Sequence, residues 1–188
     1  MIIKNTRMKC LFNPTDKERL SRVPLLNYSF YLSSKNMLLL DTIDTILEKL
    51  NSGFSESSVN GDFISDASIL TWFWTLGAYG IVRTMSETKD CFSENINTKL
   101  NPLKQLLAKA RMPSSKMEKK GKKIPVNSNR SFDHWDVKNK DLLIGDPDDY
   151  ISARNMFELY DSTLSSITVN DVLKKHELSE IYVKDKPI

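Results

Sequence analysis

Seven consecutive residues, Arg130, Ser131, Phe132, Asp133, His134, Trp135 and Asp136, gather the side chains best suited to chemistry on a phosphate. An imidazole moves the proton of a hydroxyl nucleophile or of a leaving group, and a guanidinium stabilises charge on the phosphate between them. Arg130 and His134 are therefore the candidate catalytic pair. The same stretch serves binding without catalysis, because the rings of Phe132, His134 and Trp135 offer faces on which bases stack. A third use is structural: these aromatics anchor a neighbouring segment to the protein body. The sequence leaves all three open.

What precedes this cluster favours an anionic partner. From Lys99 to Arg130 there are ten basic residues and a single acid, Glu118, a local charge of +9; the rest of the chain holds 17 basic and 23 acidic residues, −6. The net charge of +3 hides that division. Lys104, Lys109, Arg111, Lys116, Lys119, Lys120, Lys122, Lys123 and Arg130, with Trp135 beside them, are the candidate residues for engaging RNA, DNA or an acidic protein surface. A solvated surface loop is the alternative use of such a run.

Other chemistries find little support. The chain contains no GxSxG, Walker, GxGxxG, HExxH or EF-hand pattern. Cys10 and Cys91 are far apart and outside any CxxC, and His134 and His176 are the two histidines, so neither a disulfide framework nor a zinc site is expected. Asp146, Asp148 and Asp149 have the oxygens for a divalent cation, but Pro147 between them fits the start of a helix better. No cofactor or metal is expected. The apolar runs are too short to span a bilayer, and Met1 to Lys4 do not open a signal peptide, so a cytoplasmic protein is expected.

An arginine shortly before a histidine in a small helical protein resembles the HEPN superfamily of prokaryotic helical nucleases. That resemblance rests on Arg130, His134 and the helical character of the chain; here three residues separate the pair, a shorter spacing than the family's, and Asn127, Ser128 and Asn129 precede it. It implies a metal-independent ribonuclease acting as a homodimer, with Arg130 and His134 as its catalytic residues. The leading reading remains a non-enzymatic binding protein that uses its basic segment. A small defence, immunity or counter-defence protein that occupies a larger assembly is compatible with either.

The elements that must position these residues read as all-α, a single domain of 188 residues forming a bundle of about four to six helices. Residues 1–32 form a possible arm in which Tyr28, Phe30 and Leu32 alternate as in a short strand. Ser33 and Ser34 precede an amphipathic helix carrying Leu39, Ile43, Ile46 and Leu50 that ends near Gly53, and 51–62 read as a flexible connection. A central helix capped by Ser65 follows. From Ile69 to Val82 it is apolar almost all round, which calls for neighbours on more than one side, and Gly77 and Gly80 allow close approach of another helix. Asn101 and Pro102 open a helix that Pro113 ends, leaving 113–131 as a long basic loop. Asp146 and Pro147 start a helix with Ala153, Phe157, Tyr160, Leu164 and Ile167 inward and an Arg154–Glu158 pair outward. A last short helix covers Asn170–Glu177, with Val172 and Leu173 inward.

Overall fold

The computed structural model describes residues 23–55, 58–118, 121, 125 and 133–176. Four long or medium helices and one small antiparallel sheet make up the described fold: α1 (Phe30–Gly53), α2 (Gly61–Glu87), α3 (Glu94–Lys116), β1 (Asp133–Asp136), β2 (Asp141–Asp146), β3 (Asp149–Ser152) and α4 (Ala153–Ser165). The bundle is as expected in outline. The sheet corrects the all-α expectation.

Each helix begins where a short polar side chain occupies its first free N–H groups. Ser29 Oγ accepts from Leu32 N at 3.2 Å, so α1 starts earlier than Ser33 and Ser34 predict. Ser33 is buried inside the helix instead, and Phe30 points out while Leu32 points in, which accounts for the alternation without a strand. Asn60, not Ser65, caps α2 by accepting from Asp62 N and Phe63 N. Ser93 caps α3, a full two turns before Asn101.

Pro102 and Pro113 consequently lie inside α3. Proline removes one N–H and frees the carbonyl four residues back. At Pro113 that carbonyl belongs to Lys109, and Gly145 of β2 approaches the helix there: a Cβ on Gly145 would lie 3.7 Å from both Lys109 O and Ala110 Cα. Gly145 has φ +101°, a conformation that favours glycine, and it is the point at which the sheet meets the α3 backbone. The helix ends at Lys116, where Met117 turns left-handed (φ 56°) and its N–H bonds Pro113 O.

β2 is the middle strand, paired antiparallel with β1 (His134 opposite Leu143, Trp135 opposite Leu142) and with β3 (Gly145 opposite Tyr150). Asp146 ends β2 and Pro147 and Asp148 form the β2–β3 turn, not a helix start. The Asp146 carboxylate accepts from Asp148 N at 3.1 Å, the same bond an N-cap makes, and cap and turn therefore share one sequence signature. Helix α4 begins after the hairpin with Ser152 as its cap. The buried Asp141 carboxylate joins the two by accepting from Leu142 N, Ser152 Oγ and Arg154 N. Arg154 turns to Lys140 O and Asn51 Oδ1, not to Glu158.

One core runs through all four helices. Ile46, Leu50, Ile64, Trp74, Met85, Ile96, Leu103, Leu107, Phe157 and Tyr160 are essentially sealed from solvent. Trp74 meets Phe157 and Tyr160 edge-on at 4.8 and 5.0 Å, and its indole N–H bonds Leu39 O at 3.0 Å. Ala153, Phe157, Tyr160, Leu164 and Ile167 all face inward as their spacing predicts. In place of the last expected helix there is a three-residue 3-10 turn, Val169–Asp171; Leu173 is exposed, and Glu177 lies outside the described residues. No helix among the described residues is long and apolar enough to cross a membrane.

Candidate functional site

Helix α2 departs most from its expected surroundings. It is buried along Ile64, Ala67, Thr71, Trp74, Ala78 and Val82, yet Ile69, Trp72 and Phe73 on the opposite side are 53, 46 and 58 % exposed. The neighbours expected on more than one side are present, α1 and α3, but among the described residues they leave this face uncovered. Trp72 and Phe73 stack on each other at 4.9 Å with 26° between planes. A large aromatic surface turned to solvent is the kind of feature that marks a binding face.

Strand β1 lies along the N-terminal half of this helix because its alternate side chains reach it. Ser68 Oγ donates to the Asp133 carboxylate, and the Trp135 indole closes over Gly61, where an added Cβ would sit 3.2 Å from the ring. His134 points to the other face of the sheet, exposed, and stacks on Tyr150 at 5.9 Å. Asn139 bonds the neighbouring Asp136 carboxylate through its side chain and its backbone N–H, and these bonds hold that carboxyl below its ordinary range.

Between α2, the C-terminal half of α3 and the sheet runs a cleft of about 290 Å³. Ser68, Thr71, Trp72 and Thr75 line it from α2, Arg111 and Ser114 from α3, and Asp133 from β1. The Arg111 guanidinium lies over the Tyr79 ring, 4.3 Å from its centroid. Its Nε is buried and has no hydrogen-bond partner among the described residues, while Nη2 reaches the weak acceptor Met112 Sδ at 3.4 Å.

The described cations of the basic segment do not share one face. Lys104 and Arg111, two turns apart, lie on the flank of α3 toward α2; Lys109 and Lys116, also two turns apart, lie on the other. Lys109 pairs with Asp149 at 2.5 Å, and Lys99 bonds Ser166 Oγ at 3.1 Å. The described cations of α3 thus form two flanks, one of which is partly neutralised. Lys119, Lys120, Lys122, Lys123 and Arg130 lie outside the described residues, as does Phe132, and with Arg130 the expected Arg130–His134 pair lies outside them too. Within 113–131, Pro113 to Lys116 are helical and Glu118 bridges Pro125.

Sequence reasoning identified Arg111 but missed Trp72, Ser68 and Asp133 as parts of one cleft; Trp135, which it also identified, packs on Gly61 instead. A signal was present. Trp72, Phe73 and Trp74 are consecutive, and at about 100° per residue three neighbours on a helix cannot all face one core. No three of the described histidines, cysteines and acids are grouped to hold a metal ion. The Cys91 thiol is buried. No protein-family model matches the chain, and no curated protein or solved structure is recognisably similar to it.

Proposed function

We propose that this is a non-enzymatic protein that binds single-stranded nucleic acid, with rings of α2 and β1 stacking on bases and the basic segment tracking phosphates. One observation carries the reading: the chain leaves α3 past Ser114 and returns at Asp133, and both residues are walls of the cleft that Trp72 and Arg111 line. Six of the ten cations between Lys99 and Arg130 belong to the stretch joining those two walls. Stackable rings beside phosphate-seeking cations are the combination that single-strand binders use, and base stacking contributes about 1–3 kcal/mol per ring. Among the described residues nothing covers the outward pair Trp72 and Phe73.

The test is fluorescence anisotropy of labelled single-stranded RNA and DNA against the parent and a Lys119/Lys120/Lys122/Lys123→Ala variant. The variant is expected to bind at least about tenfold more weakly at low salt, since each lost phosphate contact forfeits counterion release. Equal binding by both proteins, or none by the parent, contradicts the proposal. In the second case a pull-down that depends on the four lysines points to an acidic protein partner. Incubating RNA with the protein in EDTA addresses the HEPN-like alternative: cleavage that disappears in His134→Ala would establish the ribonuclease.

A further inference from the structure

The cleft between α2, α3 and β1 is chemically polarised. At one end the Arg111 guanidinium lies over the Tyr79 ring, and its buried Nε–H has no acceptor among the described residues. A guanidinium fixed in this way is a fork for a phosphate or carboxylate, whose two oxygens match its parallel N–H groups. Along the α2 wall the hydroxyl protons are already committed. Thr71 Oγ1 donates to Ala67 O at 2.7 Å, Thr75 Oγ1 to Thr71 O at 2.8 Å, and Ser68 Oγ to Asp133. With their protons given away, these oxygens have only lone pairs left to offer a ligand. Between the two ends lies the Trp72 indole.

A ligand complementary to this lining has an oxyanion at one end, hydroxyl donors along its middle and a planar ring. A fatty acid lacks the donors and a simple sugar lacks the anion and the ring. From this geometry we infer that the cleft receives one ribonucleotide, its phosphate on Arg111 and its ribose hydroxyls on the threonine oxygens, with the base against Trp72. Its volume, near the lower end for small-molecule sites, suits one nucleotide and not a run of them. This inference rests on the nucleic-acid reading above and sharpens it: the 2′-hydroxyl is what separates RNA from DNA, so the site selects RNA.

The experiment is a calorimetric titration of the full chain with adenosine 5′-monophosphate, its 2′-deoxy analogue and adenosine. The parent is expected to bind the ribonucleotide with a dissociation constant below a millimolar, and the deoxy form and the unphosphorylated nucleoside several-fold more weakly. Arg111→Gln is expected to weaken the monophosphate about tenfold and leave adenosine unchanged, with Arg111→Lys recovering part of the loss because it restores charge without the fork. Thr75→Val, nearly isosteric, keeps the helix and is expected to narrow the gap between ribo- and deoxyribonucleotide. Equal affinity for nucleotide and nucleoside, or full affinity in folded Arg111→Gln, overturns the inference. Should Arg111→Gln fail to fold, an unchanged ribo/deoxy gap in Thr75→Val overturns it instead. An oligonucleotide that binds while no mononucleotide does removes the cleft's role and keeps the proposed function; mononucleotide binding without oligonucleotide binding does the reverse.

Discussion

Arg111 of α3 rests on Tyr79 of α2, and this one contact fixes where the guanidinium meets the cleft. A cation over a phenol contributes roughly 0.5–1 kcal/mol at an exposed site and more when desolvated. It also limits the rotamers of a long side chain. Replacing Tyr79 with Leu keeps an apolar residue and the net charge but removes the platform. RNA affinity is expected to fall about three- to tenfold by anisotropy, while the thermal midpoint moves by only a few degrees.

Trp72 and Phe73 are exposed, so truncating them tests recognition more than folding. Trp72→Ala and Phe73→Ala are each expected to cost less than about 1 kcal/mol of stability in urea, yet Trp72→Ala should weaken RNA binding about tenfold. The buried Trp74 is the contrast. Trp74→Ala removes the centre of the aromatic cluster and the bond to Leu39 O, and is expected to cost about 3–5 kcal/mol.

Tyr160 is buried, and its hydroxyl donates to Asn36 Oδ1 at 2.8 Å. Burial holds its phenol far above the ordinary 10.0, and burial also raises Tyr28, though the bond to Thr88 opposes that shift. A folded-state pKa raised above the unfolded one means that the stability from these neutral phenols is complete below about pH 10. It is lost as the pH rises beyond that, because the unfolded chain ionises first. Alkaline unfolding above about pH 10 is therefore expected. Tyr160→Phe should move its onset to higher pH while costing about 1–2 kcal/mol at neutral pH, since Asn36 loses its donor.

Gly77 and Gly80 respond differently to alanine. A Cβ at Gly77 would lie 3.1 Å from Leu39 Cδ2, whereas one at Gly80 meets nothing within 4 Å. Gly80→Ala is expected to stabilise by about 0.5–1 kcal/mol through helix propensity; Gly77→Ala should gain less or lose, as α1 must yield. Urea midpoints measure both.

The helices were legible where periodic apolar residues met a core, as along α4 from Ala153 to Leu164. Their starts were not, because serine and asparagine candidates outnumber caps: Ser33, Ser65 and Asn101 all lie inside helices that Ser29, Asn60 and Ser93 begin. Asp146–Pro147 was misleading for a physical reason, since a carboxylate accepting the N–H two residues on serves a hairpin as well as a helix. The sheet hid because His134 and Trp135, though on opposite faces, are both exposed, leaving β1 without an alternating apolar pattern. Of the site, charge and aromatic content were legible. Its assembly depends on contacts 65 residues apart, such as Ser68 to Asp133, which no local pattern encodes.

Affinity for single-stranded RNA measured across a salt series is the most direct test of a cationic segment working beside a stacking face. The account predicts that the logarithm of the affinity falls linearly with the logarithm of salt concentration, that the slope shrinks by roughly 0.7 for each phosphate-contacting lysine removed, and that Trp72→Ala lowers affinity without altering the slope. A parent protein whose RNA affinity is indifferent to salt, or undetectable at low salt, would contradict it.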